Sequence, residues 1–331
     1  MGVFAFAIGL ATQSRAGNII DCFFPAPVKS PDSDLEQAIL DQFQSGTHTL
    51  SPESVSSFVR EYQPTLEPML EADCTLTSVL LNDDVGVSST PEAFLKLHLL
   101  SHRLALPNTL NLDGIFAHLD TVAWTTEGAL AVDELAERQL TARLEQRHFE
   151  VLSVDKFPKM TNYIVPSGVR IADSSRIRLG AYLGEGTTVM PSGSINFNAA
   201  ALGPNMIEGR LSQGVVLGEG SDLGGGSSTM GTLSGGGEIT ITIGRNCLIG
   251  ANGGTGIPLG DRCTVEAGLY ITAGTRVSVI DEFGTKVRTA KGRELAGASD
   301  MLFIRHSETG EVQCRTNKKA IALNDQLHAH N

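Results

Sequence analysis

The chain has 331 residues, 41% of them apolar, enough for two or three domains with real cores. Its net charge of −12 is uneven: residues 31–150 hold 20 acids and 6 bases, while 276–319 hold 6 acids and 9 bases. That balance argues against nucleic acid as a partner, leaves the basic tail suited to a phosphorylated cofactor or to plain solvation, and goes with no apolar stretch long enough to span a membrane.

Residues 1–150 mix strand and helix signals. The apolar start, 3–10, has no Lys or Arg before it and no A-x-A site after it, so it reads as a buried strand rather than a signal segment. Residues 18–24 read as another strand. Ser51-Pro52-Glu53 and Thr90-Pro91-Glu92 each supply an N-cap, a Pro at the first helical position and an early acid. Phe94, Leu95, Leu97, Leu99 and Leu100 make the second of these helices apolar on more than one face. A further helix over 132–148 places Leu135, Leu140 and Leu144 on its apolar side. Residues 1–150 are thus expected to form an α/β cap domain, and 151–164 a connector.

From Val165 the chain counts in sixes. Val165, Ile171, Ile177, Leu183, Val189 and Ile195 are aliphatic at that spacing, and the register returns at Leu217 and Leu223, at Ile243 and Ile249, and at Leu259, Val265, Ile271 and Val277. Neither an α-helix nor a flat strand keeps one residue in six buried. The period is that of a parallel β-helix of hexapeptide repeats, in which three repeats close a coil and coils stack on one another's open edges. Of 36 Gly, 25 lie in 165–277, and Gly184, Gly218, Gly224, Gly244, Gly250 and Gly260 directly follow a register residue. They read as turn residues that need backbone freedom. The runs 224–226 and 235–237 exceed what turns require. The register slips three times, with gaps of 22 (Ile195 to Leu217), 20 (Leu223 to Ile243) and 10 (Ile249 to Leu259), read as excesses of four, two and four that leave the coil as loops. The β-helix is expected over 165–280, and 281–331 as a tail with strands near 301–305 and 311–315.

One absence narrows the chemistry. No His lies between His148 and His306, so neither a His base nor His-bound zinc can work inside the repeat. A carboxylate must carry any proton or acyl chemistry there. Asp173, Glu185, Glu219 and Asp261 read as turn residues, and Asp222, Glu238 and Glu266 stay open. Glu208 is the best candidate, between an Ile and a Gly after the longest register slip. Arg210, two residues on, would share its face in a strand, so the two read either as a site or as a structural ion pair. Five Cys without a CxxC spacing fit reduced thiols of a cytoplasmic protein.

Asn196-Phe197-Asn198-Ala199, Met206-Ile207-Glu208-Gly209-Arg210, the Gly-rich 222–228, Met230-Gly231-Thr232-Leu233-Ser234-Gly235-Gly236-Gly237 and Val265-Glu266-Ala267-Gly268-Leu269-Tyr270 closely resemble the long form of tetrahydrodipicolinate N-succinyltransferase. The likeness covers 160–305 and, more loosely, the N-terminal domain. It implies a mainly β chain: a left-handed parallel β-helix with an N-terminal α/β domain and a small C-terminal β tail. It implies a homotrimer with active sites between neighbouring β-helices, no tightly bound cofactor, and succinyl-CoA as cosubstrate. The reaction implied moves succinyl to the amino group of ring-opened tetrahydrodipicolinate, toward diaminopimelate and lysine. In the family the motif glutamate, here Glu208, is the proposed catalytic residue, through an acyl anhydride. The succinyl-CoA contacts fall on Arg210, Gly225, Ser228, Ala251, Glu266, Ala267 and Gly274, and in the tail on Lys286, Ser299, Asp300, Met301 and Leu302. Some long-form members hold a divalent metal near the threefold axis. The matching positions here are Ser175 and Ser192, weak ligands for a hard cation, so no metal is expected. A related acyltransferase using another acyl-CoA or amine, and a non-catalytic scaffold, are the alternatives.

Overall fold

The structure, a computed structural model, describes residues 2–231 and 240–316. It divides into two compact units, the first built from residues up to 105, 109–158 and 162–164, the second from 106–108, 159–161 and 165 onward.

In the first unit, strand Ala5–Gln13 pairs with Ile19–Phe23, Val28–Lys29 and Thr75–Leu81, and Gly46–Leu50 extends the sheet. Phe6 and Ile8 pack with Ile39, Val55, Phe58 and Leu66 in an apolar cluster. Helix Thr90–Ser101, buried from Pro91 to Ser101, lies against Ile19–Phe23. A smaller sheet joins Val122–Thr125 to Gly128–Ala131 and Val151–Asp155. Every pairing described in this unit is antiparallel, so the expected α/β domain is corrected to α+β. Antiparallel neighbours need no helical crossover. Val151–Asp155, in the stretch expected to be a connector, is a paired strand.

Local expectations fare unevenly. Ser51 caps Pro52–Tyr62, accepting from Ser54 N–H at 3.3 Å. Helix Thr90–Ser101 is capped by Ser89 rather than Thr90, because the Thr90 hydroxyl donates to His118 O at 2.8 Å. The helix expected over 132–148 spans Leu135–Leu144, and Leu140 and Leu144 are 59% and 75% exposed; Ala142 is its buried residue. His98 is enclosed, its Nε2 accepting from Phe24 N–H at 3.2 Å and its Nδ1 2.7 Å from Phe94 O. That pattern fits the neutral ring with the proton on Nδ1, and burial lowers its pKa to about 3.

The second unit is a three-sided parallel β-helix. The first face stacks Arg170–Ile171, Thr187–Val189, Asn205–Ile207, Asp222–Leu223, Leu248–Ile249, Thr264–Val265 and Met301–Arg305. The second stacks Ser194–Ile195, Arg210–Leu211, Ser228–Thr229, Gly254–Gly256 and Tyr270–Thr272. On the third, Tyr182–Leu183, Ala200–Ala201, Val216–Leu217 and Thr242–Ile243 follow one another. The chain visits the faces in rotation.

The register is the main correction. Val165 is 61% exposed and precedes the coils, which begin at Arg170–Ile171. Val189 pairs with Ile207, a coil of 18, but Ile195 pairs with Leu211 and Ile207 with Leu223, coils of 16. The first slip is therefore a contraction by two at 208–210, with no extruded loop. Ala201 fills an inward position that a count of larger aliphatics passes over. The third slip is likewise a contraction, since Thr255 holds register and Ile249 pairs with Val265, 16 on. The second is an insertion larger than expected. Leu217 pairs with Ile243, 26 on, and the surplus falls between Thr229 and Thr242, where 232–239 lie outside the described residues.

The glycines that follow inward residues are needed for a different reason from the one expected. None of Gly184, Gly218, Gly224, Gly244, Gly250 and Gly260 has a left-handed φ. A methyl on Gly224 would lie 2.7 Å from Ala251 N, and one on Gly250 2.5 Å from Ala267 N. Close stacking of coils, not turn geometry, excludes a side chain. Inside the coil, Cys247 N–H donates to Ser221 Oγ at 2.8 Å and Cys263 N–H meets Cys247 Sγ at 3.3 Å, so these cysteines act as small inward residues. The tail closes the stack: Phe303 pairs with Val265 and is fully buried, and Val312–Thr316 pairs with Met301–Arg305.

A glycine-floored corner as the candidate active site

The corner between the first and second faces carries the sequence candidates. After the inward Ile207, Leu223, Ile249 and Val265 of four successive coils come Glu208, Gly224, Gly250 and Glu266. Two coils without side chains at this position separate the glutamates, which stand three coils apart, roughly 14 Å at ~4.8 Å per strand. The turns stack directly. Gly226 N–H donates to Glu208 O at 3.3 Å, Asn252 N–H to Gly225 O at 2.9 Å and Gly268 N–H to Ala251 O at 2.8 Å. The main-chain N–H groups of Gly225, Ala251 and Ala267 donate to no acceptor among the described residues. They form a row of donors up the floor of the notch.

The Glu208 carboxylate lies against this floor: a methyl on Gly225 would sit 3.3 Å from its Oε2. Its backbone is held on both sides. Glu208 N–H donates to Leu223 O at 2.8 Å, and Ser192 Oγ donates to Glu208 O at 3.1 Å. Asp222 Oδ1 accepts Met206 N–H at 2.8 Å, fixing the strand that delivers Glu208. Gly209 cannot carry a side chain, since its methyl would fall 2.1 Å from Ser227 Oγ.

Arg210 does not share a strand face with Glu208. The contracted corner puts Glu208 and Gly209 in the turn and Arg210 in the next strand, exposed on the second face. No ion pair joins them among the described residues. Ser228 stacks on Arg210 and its Oγ lies 3.4 Å from Tyr270 OH. The Tyr270 ring covers Gly254, where a methyl would meet Cε2 at 2.3 Å.

Glu208, Gly225, Ala251, Glu266 and Ala267 therefore share one corner, with Arg210 and Ser228 on the adjoining face. Glu266 Oε2 accepts Arg305 N–H, from the next strand of the first face, at 2.7 Å. The remaining candidates are not brought to this corner. Gly274 follows Tyr270–Thr272 past the far end of the second face, and no atom lies within 4 Å of a methyl built there. Lys286 sits in strand Lys286–Lys291 and pairs with Glu311 at 2.8 Å. Ser299 and Asp300 stack on the turn between third and first faces. There Ser299 Oγ accepts Asp261 N–H at 3.0 Å, and Asp300 binds Arg262 at 2.6 and 2.8 Å. Met301 and Leu302 open the last first-face strand. Glu238 and Gly235-Gly236-Gly237 lie outside the described residues. Ser192 and Tyr270 are the positioning residues that sequence reasoning missed. Their partners lie one or two coils away, and only the motif containing Tyr270 hinted at a role.

At the positions some long-form members use for a divalent metal stand two serine hydroxyls, both hydrogen-bonded within the chain. Ser175 Oγ donates to Asp173 Oδ1 at 2.6 Å, and the Ser192 hydroxyl is engaged by Glu208 O. Among the described residues no helix is long and apolar enough to cross a membrane.

The family model described as the hexapeptide repeat of succinyl-transferase matches residues 240–273, and that described as the middle part of tetrahydrodipicolinate N-succinyltransferase matches 119–159. The chain is 53% identical to a 2,3,4,5-tetrahydropyridine-2,6-dicarboxylate N-succinyltransferase of Pseudomonas paraeruginosa, over 99% of both chains. With the protein of the same name from Vibrio cholerae it shares 50% identity over 100% of both. A solved structure from Campylobacter jejuni, named as a 2,3,4,5-tetrahydropyridine-2-carboxylate N-succinyltransferase, superposes with a TM-score of 0.85 at 30% identity, covering 96% of this chain and 93% of the other. Full-length identity above one half, together with the glutamate-and-glycine corner, shows that this chain belongs to the tetrahydropyridine-2,6-dicarboxylate N-succinyltransferase family.

Proposed function

We propose that the protein transfers succinyl from succinyl-CoA to the amino group of ring-opened tetrahydrodipicolinate, on the route to diaminopimelate and lysine, with Glu208 as the catalytic residue. The observation that carries this reading is the Glu208 carboxylate set over Gly225, beside a row of undonated N–H groups. Those N–H groups suit the amide carbonyls of an extended pantetheine arm. One of them, near Glu208, suits the oxyanion formed on the thioester carbon. In our reading Glu208 attacks that carbon, the C–S bond breaks and CoA leaves as the thiol after taking a proton. The substrate amine then attacks the succinyl carbonyl of the mixed anhydride and loses its proton, which restores the carboxylate. Arg210, exposed on the adjoining face, suits a substrate carboxylate held by two parallel hydrogen bonds. The proposal includes succinyl-CoA as a cosubstrate rather than a resident cofactor, a left-handed coil, a homotrimer with sites between neighbouring β-helices, and action in the cytoplasm. Glu266, Gly274, Lys286, Ser299, Asp300, Met301 and Leu302 are assigned to succinyl-CoA in the assembled trimer.

The test is thiol release by the purified protein from succinyl-CoA, with and without tetrahydrodipicolinate, and from acetyl-CoA in parallel. Release that requires the amine and prefers succinyl-CoA is expected. Glu208→Gln keeps the side-chain shape, and its kcat should fall by about 10³-fold or more. Loss of less than about tenfold would remove Glu208 from the chemistry. Trapped succinyl on Glu208 is the expected signature of the anhydride, and ternary-complex kinetics without it would count for direct transfer.

A further inference from the structure

A second concave site lies wholly within the first unit. Strand Ile19–Phe23 sends Asp21 and Phe23 to one side, as residues two apart in a strand do. Trp124 and Thr125, from Val122–Thr125, and the segment with Asn162 and Tyr163 complete the walls of a cavity of about 180 Å³. The Tyr163 hydroxyl donates to Asp21 Oδ1 at 2.6 Å, and the Tyr163 and Phe23 ring centroids are 6.3 Å apart. Burial holds the Asp21 carboxyl above its ordinary range. No Lys, Arg or His lines the cavity. The catalytic corner uses none of these residues.

We propose that this cavity binds a small primary ammonium group, free or at the end of a larger amine. A carboxylate walled by three aromatic side chains offers ion pairing and cation–π attraction together. The Tyr163 and Thr12 hydroxyls and the Cys22 N–H bond to the Asp21 carboxylate, which has about four acceptor sites and so keeps room for one further donor. An anion would be repelled by Asp21, and a neutral alcohol gains neither attraction. A single carboxylate is too few ligands for a hard divalent cation, which takes six or more oxygens or keeps most of its water. The cavity admits only a few non-hydrogen atoms, so a larger amine would leave its remainder in solvent.

Trp124 is the chain's one Trp, so intrinsic fluorescence reads this cavity directly. The full-length protein would be titrated at constant ionic strength with n-propylammonium chloride, n-propanol and sodium propionate, followed by fluorescence and by calorimetry. A saturable response to propylammonium alone is expected. In Asp21→Asn, which keeps an acceptor for the Tyr163 hydroxyl, the midpoint should rise by roughly tenfold or more. Tyr163→Phe should keep the response, since the ring remains and the carboxylate is freed. Equal responses to propanol and propylammonium, unweakened binding in a folded Asp21→Asn, or no saturable response by either method would overturn the proposal. The three wild-type titrations decide even if a variant fails to fold. Propylammonium against lysine then separates a free small cation from the amine of an amino acid.

Discussion

Gly225 shows how narrowly the proposed site is set. Its backbone tolerates a side chain, because its φ is not left-handed, but a methyl there meets the Glu208 carboxylate at 3.3 Å. Gly225→Ala should therefore lower kcat/KM by about 10- to 100-fold through displaced geometry, with thermal stability near that of the parent. An unchanged kcat/KM would move Glu208 out of the reacting position. His98 sets a pH dependence in the other unit. Its folded pKa of about 3 lies below the ordinary value of 6.5, so between the two the unfolded chain binds a proton that the folded chain refuses. Stability should fall as pH drops through that window, by up to about 1.4 kcal/mol per pH unit from this residue, and His98 adds no slope above it. Denaturant midpoints between about pH 7 and pH 5 for parent and His98→Gln would show the variant with the shallower slope. Glu208, Gly225 and Ala267 were legible from their motifs, and Ala251 only through the family resemblance. Ser192 was not, because its hydroxyl acts on a carbonyl one coil on, and nothing in its neighbours in sequence signals that.

At the scale of the element, the coil was legible and its irregularities were misread. A count of large aliphatics passes over Ala201, Thr229 and Thr255, which hold inward positions. Two contractions then look like insertions. The physical rule is that a corner can lose two residues while every ladder partner stays opposite its neighbour, since only the strand pairs need register. The tail strand Met301–Arg305 was anticipated, but its place as the last stave of the first face was not. That placement depends on Phe303 pairing with Val265 across 38 residues. Phe303→Ala should cost about 3–5 kcal/mol, by loss of burial and the cavity left behind. Urea melts followed by circular dichroism would check it, and a loss below about 1 kcal/mol would mean the tail strand is dispensable to the coil.

For the whole molecule, the cysteines offer an ordering that neither spectroscopy nor activity supplies. Cys74 is exposed, while Cys22, Cys247, Cys263 and Cys314 are buried. Cys22 belongs to the first unit, and Cys247, Cys263 and Cys314 belong to the second. A maleimide pulse on the native protein should add one mass increment per chain, at Cys74. During gradual denaturation, adducts at Cys22 would date the opening of the first unit, and adducts at the other three would date the coil. Peptide mapping of those pulses turns the four buried thiols into a clock for which unit of the protein lets go first.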